Sequence, residues 1–335
     1  MKKFLIGIVS LVIVLGIVYL AGPTFPKPVL NNKLPEINLQ ANEVENYVRN
    51  KESKLKIKPD NESRIIWAND TLKNTTPYCL LYLHGFSASW YEGEPVHTDF
   101  ARRYGMNLYL PLLASHGIET TEGLIDMTPD RLYESAKEAL IVAHKMGDKV
   151  ILMSTSTGGT LSLKLAAEFP DLVDGLILFS PNIAINDPAA FVLSKHWGLQ
   201  IARYVKKGNY RISTTKFPEE EQYWICKQRL ESAVYLQQLI EATMTKNTFE
   251  RVNKPVFMAY YYKDKAYQDS TVRVDAMLKM FDQLGTPENL KQKEAFPEAG
   301  THPIGCKLLS GAWKEVEIAS YQFAEKKLGL KPVIE

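Results

Sequence analysis

The chain opens on an unbroken apolar run. Met1-Lys2-Lys3 leads into nineteen uncharged, mostly aliphatic residues from Phe4 to Gly22. As a helix rising 1.5 Å per residue the run would be roughly 28 Å long, close to the hydrocarbon thickness of a bilayer. The exit, Val18-Tyr19-Leu20-Ala21-Gly22-Pro23, offers no clean small-x-small cleavage site, and the apolar region is long for a signal peptide. An uncleaved membrane anchor is therefore favoured over a cleaved signal followed by secretion. The paired lysines in front of it predict a cytoplasmic N-terminus, with the body of the chain on the other side. No later apolar run is long enough to span.

Residues 23–57 lose the apolar pattern. Pro23, Pro26, Pro28 and Pro35 precede a polar stretch with room for one short helix around Asn42–Lys51, and a solvated spacer is expected here. From about Ser63 strand-like and helix-like segments alternate. Strands are expected at Ile65–Trp67, Tyr78–Leu83, Met106–Leu110, Val150–Met153 and Leu176–Phe179, with helices at Val96–Tyr104 and Pro129–Met146. Beyond the break described next, strands are expected at Pro255–Tyr262 and Lys291–Phe296, and helices at Thr271–Leu284 and Leu308–Leu328. Short apolar runs rich in β-branched residues fit strands covered on both faces, and the alternation predicts βαβ units around a mostly parallel sheet with helices on both faces. Between about 182 and 252 it breaks. There Ala233, Leu236, Ile240 and Met244 lie on one face of a helix, and the interval reads as a helical cap inserted over the carboxyl edge of the sheet. The expected division is an anchor or signal segment at 1–22, a linker at 23–57 and one α/β domain at 58–335.

Composition narrows the function classes. Charged residues make up 23% of the chain and the formal net charge is +2, so no basic field argues for nucleic acid. Three cysteines, Cys79, Cys226 and Cys306, are too few and too scattered for a disulfide framework or a metal site.

Candidate chemistry collects where the predicted strands end. After Val150–Met153 the chain switches to Ser154-Thr155-Ser156-Thr157-Gly158-Gly159 and then resumes as a helix. A serine on a tight strand-to-helix turn exposes its hydroxyl above the sheet, with free helix N–H groups beneath it. Ser154 stands where such a turn usually carries glycine. The strand Tyr78–Leu83 ends in His84-Gly85-Phe86, so the N–H groups of Phe86 and Thr157 are candidates for two donors facing one developing oxyanion. Asp264 follows one later strand and His302 the next, and Asp269 and Asp275 are rivals for the role of Asp264. Nucleophile, acid and base in that order suit this type of sheet. A serine hydroxyl needs a base to take its proton, an imidazole titrates near neutrality, and a carboxylate fixes its tautomer. Phe191, Trp197, Tyr223 and Trp224, with His84, are candidate pocket residues, although the aromatics serve equally as the cap's own small core.

The segments LHGFSAS, LMSTSTGG, YYYKD and AGTHPIG resemble those of the α/β-hydrolase superfamily, most closely its serine esterase and monoacylglycerol-lipase-like members, over about residues 63–330. The resemblance implies an α/β-hydrolase fold with Ser156 as nucleophile, Asp264 as acid, His302 as base, and Phe86 and Thr157 as the oxyanion hole. It implies two-step acyl transfer on a small-molecule or lipid-like ester, with no metal or organic cofactor. An acyltransferase or peptidase would use the same residues, and a membrane-anchored binding module without catalysis is a further alternative. Oligomeric state is not legible.

Overall fold

A computed structural model describes residues 2–333. Nine strands are present among them: β1 (Arg64–Ile66), β2 (Thr76–Leu83), β3 (Asn107–Leu110), β4 (Gly147–Thr155), β5 (Gly175–Phe179), β6 (Tyr210–Ile212), β7 (Lys227–Arg229), β8 (Val256–Tyr260) and β9 (Lys291–Ala295). Seven form one sheet in the order β1-β3-β2-β4-β5-β8-β9, and β6 pairs with β7 apart from it. Only β1 runs antiparallel within the large sheet. The mostly parallel sheet predicted from the alternation is thus present.

The helices are α1 (Lys2–Leu20), α2 (Val44–Glu52), α3 (Val96–Arg103), α4 (Pro129–Met146), α5 (Thr157–Glu168), α6 (Gly198–Lys206), α7 (Pro218–Tyr223), α8 (Leu230–Thr243), α9 (Lys246–Arg251), α10 (Val274–Asp282) and α11 (Trp313–Lys327). The strand period of two splits the core cleanly. Cys79, Leu81 and Leu83 of β2 and Val150 and Leu152 of β4 face one side, where α4, α5, α8 and α10 cover them. Leu80, Tyr82, Ile151 and Met153 face the other, under α3 and α11. Each fully buried leucine contributes about 2 kcal/mol. Helix α4 starts where the sequence dictates: Thr128 accepts from the Arg131 N–H, and Pro129 takes the first helical position, where no N–H is needed.

Two features differ from expectation. Residues 23–57 are not a solvated spacer, because Leu30, Val44 and Val48 enter the core against α4. Asp130 Oδ1 accepts from the N–H groups of Val29 and Leu30, and the buried Lys137 ammonium donates to the carbonyls of Asn31 and Lys33, both at 2.6 Å. A fully buried lysine needs such acceptors, so the segment satisfies a charge inside the domain as well as connecting to it. Strand β8 also stops at Tyr260 rather than Tyr262. An isolated bridge between Tyr262 and Gln268 then carries the chain out into a small exposed loop and back. Helix α1 matches the first apolar run, with a mean hydropathy of 2.6 and no buried residue.

Candidate active site

Ser156 lies between β4 and α5, with φ 54° and ψ −118°. Positive φ in a residue with a Cβ costs of order 1–3 kcal/mol and persists only where neighbours enforce it. Here the Ser156 N–H donates to Phe179 O at 3.0 Å, and Ser156 O accepts from Asn182 N at 2.9 Å and Gly159 N at 2.9 Å. The two glycines that follow are required by contact. A Cβ on Gly158 would sit 1.9 Å from Leu83 O, and one on Gly159 would sit 2.7 Å from Pro181 Cβ. Ser154 needs no glycine, because its buried hydroxyl accepts from Ser162 Oγ on α5 at 3.0 Å.

The loop after β2 meets this turn. A Cβ on Gly85 would lie 2.9 Å from both Ser156 Cβ and Glu92 Oε1, so only glycine lets loop and turn approach so closely. Among the described residues no protein acceptor takes the N–H of Phe86 or of Thr157. Two free backbone donors flanking the serine turn suit a developing oxyanion. His84 is corrected from pocket residue to buttress. It is fully buried, Nδ1 bonds Gly85 O at 2.9 Å, and Nε2 accepts from Leu113 N at 3.1 Å. Burial and the neighbouring His116 hold its pKa down to about 3, so it is a neutral strut beneath the loop.

His302 is paired with Asp269. Its Nδ1 lies 2.6 Å from Asp269 Oδ2, while its buried Nε2 has no protein partner. Asp269 Oδ1 accepts from the N–H groups of Thr271 and Val272 at 2.8 and 3.0 Å. Burial disfavours this carboxylate, yet His302 and the two backbone donors outweigh it and hold Asp269 below the usual range. Burial likewise opposes the imidazolium of His302, and the Asp269 charge outweighs it, so the His302 pKa is raised.

Asp264, expected as the acid, is instead an exposed turn residue whose Oδ1 caps the N–H groups of Ala266 and Tyr267. The cause is the loop between Tyr262 and Gln268, which delays the return of the chain to the sheet edge by five residues. The second rival, Asp275, is paired with Arg273 at the surface. A signal was available: Asp264 is flanked by Lys263 and Lys265, as a solvated turn residue would be, whereas Asp269 precedes Ser270-Thr271 in an Asx-turn pattern.

Glu92 escaped the sequence reading. It is 3% exposed, and its Oε2 accepts from Gly85 N at 2.5 Å. Burial pushes its pKa up to about 7, against the opposing effects of the Gly85 N–H, His302 and the Trp224 indole. The available signal was a carboxylate set directly among Trp90, Tyr91 and Gly93, with no basic neighbour to pair it.

Of the expected pocket aromatics, Trp224 reaches the site through Glu92. Tyr223 stacks on Tyr91 at 4.1 Å instead. Phe191 is 58% exposed, and Trp197 packs against the end of α1. The next residue, Ile225, donates its N–H to Ser87 O at 2.8 Å, so the segment between β5 and β8 is seated on the loop after β2. Ser156 is accordingly only 5% exposed. A cavity of about 430 Å³ between α2, α4 and the chain after β3 is bordered by neither Ser156 nor His302. Among the described residues no three His, Cys, Asp or Glu side chains gather as a metal site.

Comparison with known proteins adds a family and a fold. Residues 130–297 match the family model described as serine aminopeptidase, S33, half of the chain. A solved structure of the metagenome-derived lipolytic enzymes LipS and LipT superposes with a TM-score of 0.64 at 17% identity, covering 81% of this chain and 99% of that one. The monoacylglycerol lipase of Paleococcus ferrophilus gives 0.58 at 14%, covering 78% and 96%. Est1E from Butyrivibrio proteoclasticus with bound ferulic acid gives 0.53 at 17%, covering 80% and 95%. No curated protein matches the sequence.

Proposed function

Because the chain belongs to the S33 serine aminopeptidase family of α/β-hydrolases, we propose that it is a serine hydrolase cleaving carboxylic esters through an acyl-enzyme on Ser156. The observation that carries this reading is the Asp269–His302 pair with its Nε2 unengaged, on the same sheet edge as the strained Ser156 turn. His302 takes the Ser156 proton as the hydroxyl attacks the ester carbonyl. Asp269 holds the Nδ1–H tautomer and stabilises the imidazolium. The N–H groups of Phe86 and Thr157 receive the oxyanion, and His302 returns the proton to the departing alcohol. Water, deprotonated by the same imidazole, then releases the acyl group. The chemistry calls for no metal or organic cofactor. Glu92 fixes the oxyanion loop through Gly85 N–H. The division into anchor (1–22), a packed connecting segment (23–57) and catalytic domain (58–335) with a cap at about 182–252 belongs to the same proposal. So does a catalytic domain outside the cytoplasm.

The test is fluorophosphonate labelling of the full chain in detergent, beside Ser156→Ala and a panel of p-nitrophenyl esters of increasing acyl length. Labelling and turnover lost together in the variant support the mechanism, and a chain-length optimum defines the acyl pocket. A folded wild type that takes no label and cuts no ester overturns it in favour of a binding module. The family's description as serine aminopeptidases favours a second reading, amide cleavage, which aminoacyl p-nitroanilides in the same panel distinguish.

A further inference from the structure

The end of the apolar helix α1 is fastened to the segment between β5 and β8. Trp197 Nε1 donates to Val18 O at 3.1 Å, Trp197 N donates to Pro23 O at 3.0 Å, and His196 Nδ1 bonds Gly22 O at 2.8 Å. The rings of Tyr19 and His196 lie 5.2 Å apart. Gly22 is buried under the indole, since a Cβ there would lie 2.0 Å from Trp197 Nε1. Whatever is bonded to the last turn of a spanning helix is held at the membrane–water interface where that helix emerges.

The next element is α6, and it faces the wrong way for a soluble helix. Leu199 is turned inward, whereas Ile201, Tyr204 and Val205 are 46, 87 and 66% exposed. The spacing i, i+3, i+4 puts these three on one outward face. Phe191, just upstream of α6, is exposed as well. Lys206 and Lys207 end the helix, exposed and without a carboxylate partner among the described residues. An outward apolar stripe with terminal lysines and exposed aromatic residues beside it matches a helix lying in a headgroup layer.

We propose that the outward face of α6 lies in the headgroup region of the same bilayer that α1 spans, so that the cap over Ser156 is held against the lipid surface. The proposal rests on the reading of α1 as a retained anchor. It commits to lipid rather than a second copy because continuity with α1 already places this face at the bilayer surface. A cap seated there would take amphiphilic esters directly from the lipid.

The full chain is reconstituted into vesicles of mixed phosphatidylcholine and phosphatidylglycerol, in a Cys226→Ser background, since Cys79 and Cys306 are buried. An environment-sensitive fluorophore is placed at Tyr204→Cys or, as reference, at Lys326→Cys. Residue 326 is near the end of α11, whose following Leu328 packs on Gly175 at the opposite, amino-terminal edge of the sheet. Brominated lipids are expected to quench the label at 204 severalfold more than the label at 326. Adding Ile201→Lys and Val205→Lys is expected to abolish the difference while fluorophosphonate labelling in detergent stays unchanged. Equal quenching at both positions, or energy transfer between labels at 204 on two copies without lipid quenching, would overturn the proposal. Failure of the fluorophosphonate probe alone counts against the hydrolase reading and leaves the quenching result intact.

Discussion

Two buried carboxyls flank the proposed base, and they are held in opposite ways. Asp269, on the loop after β8, receives two backbone N–H groups besides His302 at 2.6 Å, and stays ionised below the usual range. Glu92, on the loop after β2, receives one backbone N–H from Gly85, and burial pushes it up to about 7. Both have lost water. What separates them is what replaces it, because a buried carboxylate is stable only where hydrogen bonds or an opposite charge take over from solvent. The charge and hydrogen bond of His302 act directly on Asp269, with two backbone donors behind them, whereas at Glu92 the Gly85 N–H, the more distant His302 and the Trp224 indole do not offset burial. One loop therefore supplies a permanent negative charge, and the other a group that changes charge near neutrality.

The strongest way to break this comparison is Asp269→Asn. With the tautomer of His302 no longer enforced, kcat/KM for the best ester is expected to fall roughly 10,000-fold. Asp264→Asn, at an exposed turn, is expected to change stability by no more than about 0.5 kcal/mol and to leave turnover in place. A large loss at 264 with little loss at 269 would reverse the assignment. The pH profile carries the same information. The His302 pKa is raised, so the acidic limb of kcat/KM is expected above an unperturbed histidine's range of about 6.5.

Glu92→Gln keeps an acceptor for Gly85 N–H while removing the charge. Turnover is expected to fall well short of the roughly 100-fold loss that follows removal of an oxyanion donor. Ionised Glu92 also supports the imidazolium of His302, so the acidic limb is expected to move to lower pH in the variant. Stability moves in the opposite sense from the Asp269 variant. The folded-state pKa of Glu92 is raised from 4.5 to about 7, so folding is favoured below 4.5 and loses about 3 kcal/mol as pH rises through 7. Glu92→Gln is therefore expected to raise Tm at pH 8 and to change it little at pH 5. Asp269 is lowered, so its contribution is present above its unfolded value and is lost as pH falls through the folded one. A Tm at pH 8 that falls in Glu92→Gln would mean that Glu92 is not held unfavourably at all.

The contrast also marks what could be read from residues alone. The sheet was legible because β2 and β4 are apolar on both faces, a local pattern that survives whatever the rest of the chain does. The serine turn was legible for the same reason, since Gly158 and Gly159 sit beside it in sequence and answer contacts that strand-to-helix packing always makes. The acid was not legible from chain order, because its position depends on where the chain returns to the sheet edge after the Tyr262–Gln268 bridge; only the local residue types, lysines beside Asp264 and an Asx-turn pattern at Asp269, distinguish the two. The packing of residues 23–57 was missed because Leu30 stands alone among prolines, Val44 and Val48 give α2 only one short apolar turn, and the buried Lys137 that bonds the carbonyls of Asn31 and Lys33 lies about a hundred residues away. Glu92 depends on the loop after β2 folding back so that its carboxyl meets Gly85 N–H, a contact within one loop that no motif spacing announces.

Ser154 gives the smallest effect. It stands at the one position where the turn departs from its usual glycine, and its hydroxyl accepts from Ser162 inside a fully buried pair. Ser154→Gly removes that acceptor and adds backbone freedom, and together these are expected to cost about 1–2 kcal/mol of stability. Turnover should stay within about twofold, because the Ser156 geometry is enforced by the backbone bonds to Phe179 and Asn182 and by the contacts at Gly158 and Gly159, none of which involves the Ser154 side chain. A fall in kcat larger than that of Glu92→Gln, at unchanged Tm, would show that the turn is held from the strand side. The balance of charge between the loops after β2 and β8 would then govern the site less than the packing beneath it.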